Sequence, residues 1–361
     1  MDLLEKARGI INEVDTEMAK LFVRRMEAAA MVAEYKKEHG LPVLDAAREE
    51  QVIRRGSERV EDDELRAYYV NFIRNNMEIS RAYQHKLLEG MRVAYSGTEG
   101  AFAHIATGKL FPTAECVAYG DFVSAYRAVE RGECDAAVLP VENSYNGEVG
   151  QVTDLMFSGN LYVNAMLDLA VSQDLLVVPG TQKSEIKTVI SHPQALGQCA
   201  EYIRAMGWQT EEFGNTALAA KSVAETGDCS VAAIASADAA EVFGLEVMER
   251  NINASRTNTT RFASFSRSER LQESARMGEH FILVFTVKNE AGCLARAIDV
   301  IGYHGFNMRN LRSRPMKELL WQYYFYVEAD GNIHTQEGRD MLRELSEFCD
   351  RLKVVGTYST T

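Results

Sequence analysis

The sequence predicts a multidomain chain of three segments, the first all-helical, the second α/β and the third with βαββαβ order. Through residues 1–90, apolar side chains recur at alternating steps of three and four, the spacing of a helix seam. After Gly90, short apolar runs typical of strands alternate with helical stretches. A chain of 361 residues is long enough for two or three domains with separate cores.

The first segment is predicted to form three helices. The seam of the first helix runs from Leu4 to Val32, and the His39-Gly40-Leu41-Pro42 stretch stops the helix soon after residue 37. At 1.5 Å per residue this helix would be about 55 Å long, which implies a bundle or an intertwined dimer. Asp45 can cap a second helix that runs to about residue 56, and a third helix spans about 63–88.

The second segment is predicted to be an α/β domain with a mainly parallel sheet, because its strands alternate with helices. The clearest elements are strands at 91–97, 134–144 and 188–194 and helices at 122–132 and 194–206. Loops at the carboxyl ends of such strands usually hold the ligand.

The third segment follows a polar linker, SRSERLQESARMGEH. Its elements are predicted in the order βαββαβ, which is typical of a ferredoxin-like fold. They are a strand at 281–287, a helix at 293–304, strands at 307–313 and 321–328, a helix at 335–349 and a strand at 353–358.

Composition and charge disfavour several classes of protein. The chain has 39 Lys+Arg and 52 Asp+Glu, a net charge of −13, which argues against a general binder of nucleic acid or anionic membranes. No apolar run approaches the roughly 18 residues that cross a bilayer, and the charged N-terminus does not resemble a signal peptide. The six cysteines are scattered without a CxxC pair, so we expect neither a metal site nor disulfides, and a cytoplasmic protein.

Polar side chains lie on the predicted apolar faces of the helical segment. Arg25 occupies a seam position, and Lys36 lies on nearly the same face about 16 Å further along. Ser80 and Gln84 form an i, i+4 pair on the third helix. Each residue alone is explained by snorkelling or by a hydrogen bond within a bundle. Together, cations and an amide that converge inside a bundle would suit a small dianion.

Four loops of the α/β segment carry polar residues. They are the glycine loop 97–104, the 139–147 loop with Glu142 and Asn143, the 191–194 loop with Ser191 and, one turn on, Gln198, and the 258–262 loop with Thr260 and Arg261. Single loops have structural alternatives, such as a plain turn for the glycine loop and an N-cap for Ser191. For Glu142 a strand-end structural role is about equally favoured. His104 and His192 are alternative acids, although a histidine beside a site is often only a hydrogen-bonding neighbour.

The polar residues of the helical segment resemble those of the all-helical chorismate mutases in identity and spacing. They read Arg8…Arg25…Lys36…Asp45-x-x-Arg48-Glu49…Ser80-x-x-x-Gln84. That family forms an intertwined dimer in which each site takes an arginine from the partner's long helix, and Arg8 matches this arginine. By this resemblance the carboxylate ligands are Arg8, Arg25 and Arg48, the ether-oxygen donors are Lys36 and Gln84, the hydroxyl ligand is Glu49, and further substrate-binding residues are Asp45 and Ser80.

The four loops of the α/β segment, in this order, resemble those of prephenate dehydratases. The resemblance implies a two-lobed domain, similar to periplasmic binding proteins, with the site in the cleft and a discontinuous first lobe at about 91–170 and 250–268. By this resemblance Thr260 helps the ring hydroxyl to leave, the supporting residues are Asn143, Ser191 and Gln198, the carboxylate ligand is Arg261, and Glu142 orients the others. Three positions depart from the family's usual residues, namely Ala103, Ser144 and Gln173.

The third segment resembles ACT domains, which dimerise and sense amino acids, and which in prephenate dehydratases bind phenylalanine. The family's G-A-L-V and E-S-R-P motifs read here as 292–295 (GCLA) and 312–315 (RSRP). The resemblance implies effector contacts from Gly292, Leu294, Ser313, Arg314 and Pro315. Arg312 replaces a glutamate, and a cation there could weaken recognition of an ammonium group.

We therefore predict domains at 1–90, 91–269 and 277–361 and a bifunctional enzyme of phenylalanine biosynthesis. It would convert chorismate to prephenate and then to phenylpyruvate without a metal or cofactor, as a homodimer or higher homo-oligomer with phenylalanine as effector. The alternative is a non-catalytic amino-acid sensor, which would not need Thr260, Asn143, Ser191 and Gln198 together. A DNA-linked regulator is disfavoured, because no helix-turn-helix or basic stripe is visible.

Overall fold

A computed structural model describes residues 2–253, 258–269, 279–316 and 322–359. The chain divides into two compact units, Met1–Arg92 and Val93–Thr361. Most of the predicted polar linker, at residues 270–278, lies outside the described residues. No helix in the described ranges is long and apolar enough to cross a membrane.

The first unit contains the three helices that the sequence predicted, α1 (Leu3–His39), α2 (Ala46–Ser57) and α3 (Asp63–Glu89). α1 ends at Gly40, whose φ of 62° is a left-handed conformation that glycine adopts without a Cβ clash. The side chain of Asp45 accepts the Arg48 N–H and caps α2, as expected.

α1 exposes a large apolar surface. Ala29 and Ala33 are the buried residues of this helix. The exposed large apolar side chains of α1 are Leu3, Leu4, Ile10, Ile11, Val14, Met18, Leu21, Phe22, Val23, Met31, Val32 and Tyr35. The seam that predicted the helix is thus largely solvent-facing in a single chain, although exposed apolar patches of monomers are usually small.

The second unit begins with a lobe built on one sheet. Its elements are β1 (Arg92–Ser96), α4 (Phe102–Leu110), β2 (Glu115–Tyr119), α5 (Phe122–Glu130), β3 (Ala136–Asn143), β4 (Gly147–Glu148), α6 (Gly150–Ser158) and β5 (Tyr162–Ala170). The strand order of the main path is β2-β1-β3, then a strand from later in the chain, then β5.

The second lobe has a five-stranded sheet of its own. Its elements are β6 (Asp174–Val177), β7 (Thr188–Ser191), α7 (Pro193–Gln198), α8 (Ala200–Met206), β8 (Gln209–Glu212), α9 (Thr216–Thr226), β9 (Val231–Ala235), α10 (Ala237–Phe243) and β10 (Glu246–Glu249). The single helix predicted at 194–206 is divided at Cys199, whose φ of −105° and ψ of 9° leave the helical region.

The chain then returns to the first lobe. Strand β11 (Thr259–Ser266) lies between β3 and β5 and is antiparallel to both. The predicted discontinuous first lobe is therefore confirmed, whereas the expectation of a mainly parallel sheet is wrong. β1–β3, β7–β8 and β7–β9 are parallel, but β6 and β11, the strands that follow each crossing between lobes, pair antiparallel with their neighbours. A strand that enters from the other lobe can run in either direction, and the local alternation of strands and helices does not reveal which.

The C-terminal sheet has the predicted ferredoxin-like order. Its elements are β12 (Glu279–Val287), α11 (Cys293–Tyr303), β13 (Met308–Pro315), β14 (Tyr323–Asp330), α12 (Gln336–Ser346) and β15 (Cys349–Ser359). The strands lie in the order β13-β14-β12-β15 and all their pairings are antiparallel. One buried apolar cluster includes residues of both this sheet and the first lobe, such as Tyr358 and Phe265. The C-terminal sheet is thus packed on the first lobe rather than held only by a linker.

Candidate active sites

A cleft of about 350 Å³ lies between the two lobes of the second unit. Asn143 at the end of β3 and Thr260 at the start of β11 line it from the first lobe, and Gln198 at the end of α7 lines it from the second. Three of the predicted dehydratase residues, distant in sequence, are thus brought to one cavity.

Asn143 is the centre of the hydrogen bonds in this cleft. Its Nδ2 donates to Thr260 Oγ1 at 2.9 Å and to Asn258 Oδ1 at 2.8 Å. Its Oδ1 accepts the backbone N–H groups of Tyr145 and Asn146 at 3.0 and 2.9 Å, which fixes the orientation of the amide. Because the Thr260 oxygen accepts from Asn143, its own proton is available to a ligand in the cleft.

Gln173 is a cleft residue to which the sequence assigned no role. It lines the cavity, is only 4% exposed, and its Nε2 lies 3.5 Å from Gln198 Oε1. Its Oε1 has no hydrogen-bond partner among the described residues, which is costly for a buried amide in a site without ligand. The signal in the sequence was its departure from the family's usual histidine. Asn258, also overlooked, opens the Asn-Thr-Thr-Arg-Phe motif.

Ser191 is not among the residues that line the cleft, and its catalytic role remains a prediction. The residue is completely buried, and its hydroxyl donates to the Ile234 carbonyl at 2.5 Å. This bond ties β7 to β9 within the second lobe, so the serine is a structural group there.

Arg261 and Glu142 also face away from the cleft lining. Arg261 donates to both carboxylate oxygens of Asp168, at 2.8 and 3.1 Å, which raises the pKa of Arg261 and lowers that of Asp168. Glu142 pairs with Arg312 of β13 at 2.5 Å. Successive side chains of a strand point to opposite faces, and Thr260 and Asn143 occupy the cleft face. Arg261 is engaged by Asp168 in this structure, and its contact with a substrate carboxylate remains a prediction.

The two histidines that were alternative acids have local partners. His104 Nδ1 accepts the Gly100 N–H at 3.2 Å, and its ring packs on Tyr95 with centroids 5.1 Å apart. His192 Nδ1 accepts the Gln194 N–H at 3.3 Å at the start of α7. These contacts fit the alternative of hydrogen-bonding neighbours.

In the first unit, Arg25 and Ser80 meet between α1 and α3. The guanidinium donates to Ser80 Oγ and to the Asn76 carbonyl, the latter at 3.1 Å. Burial lowers the pKa of Arg25. Gln84, one turn beyond Ser80, is buried, and its Oε1 has no partner among the described residues. Asn76 was missed, although it lies one turn before Ser80 on the same stripe.

The other predicted mutase residues have partners outside the Arg25–Ser80 pair. Lys36 donates to the Val43 carbonyl, and Glu49 forms an ion pair with Arg81, a residue that sequence reasoning missed. Arg48 is exposed and donates to Gln51 at 2.5 Å. Arg8 is exposed near the start of α1, and Asp45 is occupied as the cap of α2. A single chain therefore assembles the Arg25–Ser80 part of the predicted cluster but leaves Arg8 on the surface.

The predicted effector segments lie in the C-terminal sheet and its first helix. Gly292 is the left-handed N-cap of α11, with a φ of 87°, and Leu294 lies in the first turn of that helix. Ser313, Arg314 and Pro315 end β13. Arg314 pairs with Glu148 at 3.3 Å and Asp154 at 3.0 Å, both residues of the first lobe.

Comparisons with known proteins agree with this arrangement. The family model for chorismate mutase type II matches residues 7–85, and that for prephenate dehydratase matches residues 93–270. The bifunctional chorismate mutase/prephenate dehydratase of Escherichia coli (strain K12) is 30% identical over 369 residues, covering 97% of this chain and 95% of that protein. Arogenate dehydratase/prephenate dehydratase 2, chloroplastic, of Arabidopsis thaliana is 34% identical over 277 residues, covering 74% and 72%.

Solved structures resemble the second unit. Prephenate dehydratase from Arthrobacter aurescens in complex with L-Phe is 25% identical, with a TM-score of 0.67, and the match covers 74% of this chain and 90% of that one. A protein described as GqqA, a novel type of quorum quenching acylase, is 29% identical with a TM-score of 0.68, over 75% of this chain and 98% of that one.

The helical unit, the two-lobed cleft and the homologues together define a bifunctional enzyme of aromatic amino acid biosynthesis rather than a non-catalytic sensor. The chain belongs to the bifunctional chorismate mutase/prephenate dehydratase family. It is an enzyme of phenylalanine biosynthesis with a chorismate mutase domain and a prephenate dehydratase domain.

Proposed function

We propose that the first unit rearranges chorismate to prephenate and that the second unit dehydrates and decarboxylates prephenate to phenylpyruvate. Neither reaction needs a metal or a cofactor in this scheme. The observation that carries the dehydratase half is the hydrogen bond from Asn143 to Thr260 in the cleft between the lobes. The domain limits 1–90, 91–269 and 277–361 are retained as proposals.

Thr260 has the contacts that a donor to the departing hydroxyl needs. Loss of the ring hydroxyl from prephenate requires a proton or a strong hydrogen bond at that oxygen, while the carboxylate leaves as carbon dioxide and the ring becomes aromatic. Asn143 occupies a lone pair of Thr260 Oγ1 and so directs the hydroxyl proton elsewhere. Gln198 on the opposite lobe would contact the same substrate, so that residues of both lobes form the site.

The mutase half rests on cations and amides rather than on a nucleophile. A Claisen rearrangement is pericyclic, so catalysis must hold a compact conformer and stabilise negative charge on the ether oxygen. Arg25 and Ser80 would bind a carboxylate, with Arg48 and Arg8 as further carboxylate ligands. Lys36 and Gln84 would donate to the ether oxygen, Glu49 would bind the hydroxyl, and Asp45 would hold the start of α2.

The exposed side of α1 supports a homodimer. Its apolar residues include Ile11, Val14 and Leu21, which are 57%, 49% and 61% exposed. Burial of such side chains against a second copy would contribute about 25 cal/mol per Å² of apolar area. The same interface would bring the exposed Arg8 of one protomer to the site of its partner. Sedimentation equilibrium of the full chain tests this proposal, and a monomer at micromolar concentration would contradict it.

Phenylalanine is the proposed effector of the C-terminal sheet, which we take to be an ACT domain. The Arthrobacter aurescens enzyme was solved with L-Phe, and Gly292, Leu294, Ser313, Arg314 and Pro315 are the proposed contacts. The positive charge of Arg312 is engaged by Glu142, which reduces the expected repulsion of an ammonium group. Calorimetry should detect phenylalanine binding, and no heat at millimolar phenylalanine would contradict effector control.

A coupled assay from chorismate to phenylpyruvate tests the proposed function directly. Wild-type protein should consume chorismate and form phenylpyruvate without added cofactor. Thr260→Val removes the hydroxyl at similar volume and should lower dehydratase kcat by about 100-fold or more while mutase activity stays unchanged. Lys36→Ala should do the reverse. If either folded variant loses both activities, the two sites are not separate in the way proposed.

A further inference from the structure

The hydrogen-bonded pair Asn143–Thr260 has a counterpart one residue away on the same two strands. In the pairing of β3 with β11, Thr260 lies opposite Asn143, and Arg261 lies opposite Glu142. The first pair lines the cleft. The second pair points to the other face of the sheet, where β13 and β14 of the C-terminal sheet provide its partners.

Both members of this second pair form ion pairs with the C-terminal sheet. Glu142 accepts from Arg312 Nη2 at 2.5 Å, and Arg261 Nη1 lies 3.5 Å from Glu328 Oε1. The side chain of Glu328 is only 3% exposed, and Tyr358 donates to it at 2.5 Å. The side chains of Glu142, Arg312 and Arg261 are 34%, 21% and 23% exposed, so water screens these ion pairs only in part. Arg261 is also held by Asp168 of the first lobe, at 2.8 Å.

Arg312 departs from the motif that the C-terminal segment resembles. Arg312 stands where the family's motif has glutamate, and a glutamate there would face the Glu142 carboxylate with like charge. In the structure the arginine lies beside Glu142 and is further oriented by Asn310 Oδ1 at 3.1 Å and by the Tyr326 ring, 6.0 Å from its guanidinium carbon. The substitution therefore creates an attractive bridge between the effector segment and the catalytic strand.

We propose that Glu142, held by Arg312, and Arg261, held by Asp168 and Glu328, are positioning residues that fix the Asn143–Thr260 hydrogen bond. The C-terminal sheet is then a structural part of the dehydratase site and not only a regulatory attachment. The physical reason is proximity. Glu142 is the neighbour of Asn143 in the chain and Arg261 is the neighbour of Thr260, so an ion pair that holds one residue restricts the backbone of the next. A small displacement of a reacting group can cost orders of magnitude in rate, so loss of an anchor should appear in kcat. The inference rests on the proposed roles of Asn143 and Thr260.

A double-mutant cycle tests the bridge in the full-length protein. Glu142→Gln and Arg312→Gln should each lower dehydratase kcat about tenfold or more, with KM for prephenate changed less than about twofold. The double variant should lose no more than the single variants, because both remove the same contact. Mutase activity of the same chains should stay at the wild-type level and reports the concentration of active protein.

Asp154→Asn is the matched control. It weakens a different ion pair to β13, that of Arg314, in which both side chains are similarly buried, and it lies away from the cleft lining. Asp154→Asn should lower the unfolding midpoint but leave dehydratase kcat within about twofold of the wild-type value. A merely structural role of the bridge would instead make kcat follow the unfolding midpoint in all variants.

Several results would overturn the inference. The first is a dehydratase kcat within twofold of wild type in both single variants. The second is a double variant whose loss of kcat is the product of the two single losses. The third is a loss of kcat in Asp154→Asn as large as that in the single variants. If Glu142→Gln or Arg312→Gln does not fold, Arg312→Lys takes its place. Lysine keeps the positive charge but lacks the planar set of guanidinium donors, so dehydratase kcat should fall at least about threefold. A wild-type kcat in Arg312→Lys would contradict the proposal. If Thr260→Val retains activity, the proposed function itself is wrong, and this result is distinct from the outcomes above.

Discussion

At the scale of single residues, one peptide bond separates a residue of the cleft from a residue of the domain contact. Thr260 lines the cleft and Arg261 binds Asp168 and Glu328 on the other side of the sheet. The Thr-Arg-Phe motif indicated both residues but could not assign their faces. That assignment follows from strand alternation and from the register of β11 between β3 and β5, which depends on the whole lobe.

Gln173 is expected to contact the substrate through its buried amide oxygen. Gln173→Leu keeps the approximate volume and removes a polar atom that has no partner among the described residues. The free energy of unfolding should change by less than about 1 kcal/mol, since the substitution removes an unpartnered oxygen and only one long contact, that of Gln173 Nε2 with Gln198 Oε1 at 3.5 Å. Dehydratase kcat/KM should fall about tenfold, as for the loss of one hydrogen bond of about 1.4 kcal/mol.

The exposed Gln209→Leu is a matched control and should leave kcat/KM unchanged. Denaturant unfolding and prephenate kinetics measured on the same samples check both variants. Wild-type kcat/KM in Gln173→Leu would show that the amide oxygen has no role in substrate binding.

At the scale of elements, the contact between β15 and β5 depends on Gly356. A Cβ at this position would lie 2.0 Å from the carbonyl oxygen of Val163, and backbone cannot move aside as a side chain can. Gly356→Ala should lower the free energy of unfolding of the second unit by about 3 kcal/mol. It should also reduce dehydratase activity, because it separates the C-terminal sheet from the first lobe.

Gly302→Ala is the control for Gly356→Ala, because both glycines belong to the C-terminal segment. Gly302 lies in α11, and a Cβ there meets nothing within 4 Å. A helical glycine replaced by alanine should raise stability by about 0.5–1 kcal/mol. Thermal unfolding followed by near-UV circular dichroism distinguishes the two substitutions, and equal stability of both variants would contradict the close-approach argument.

Helices were the elements that sequence reasoning located best. The bounds of α1, α2 and α3 follow from local signals, namely the apolar spacing, Gly40 and Asp45. The direction of β6 and β11 was missed, because it is decided by where the chain crosses between lobes. Cys199 was missed as a helix break, since only its dihedral angles reveal it.

At the scale of the molecule, four buried tyrosines lie in the cluster that joins the first lobe to the C-terminal sheet. They are Tyr126, Tyr324, Tyr326 and Tyr358. Burial raises the pKa of each phenol above its ordinary value, with Glu328 raising the pKa of Tyr358 further. The neutral phenols therefore stabilise the folded state fully below about pH 10, the unfolded value, and this contribution is lost as the pH rises above it.

We expect the free energy of unfolding of the second unit to fall steeply above about pH 10. Urea unfolding at increasing pH, together with tyrosinate absorbance, measures the effect. Tyr324→Phe cannot ionise at that position, so its stability should depend less steeply on pH than that of wild type. Titration of all tyrosines near pH 10 without loss of stability would show that these phenols are not buried in solution.

The sequence by itself determined the order of the three segments, the helical first unit, the ferredoxin-like order at the C-terminus and the loops that hold Asn143, Gln198 and Thr260. These features follow from local periodicity, capping residues and short motifs, which a linear chain records. Only the tertiary structure decided that Ser191 is buried, that Arg261 faces the C-terminal sheet and that Arg312 meets Glu142. Those outcomes depend on strand register and on the packing of surfaces distant in sequence, for which no local pattern carries the information.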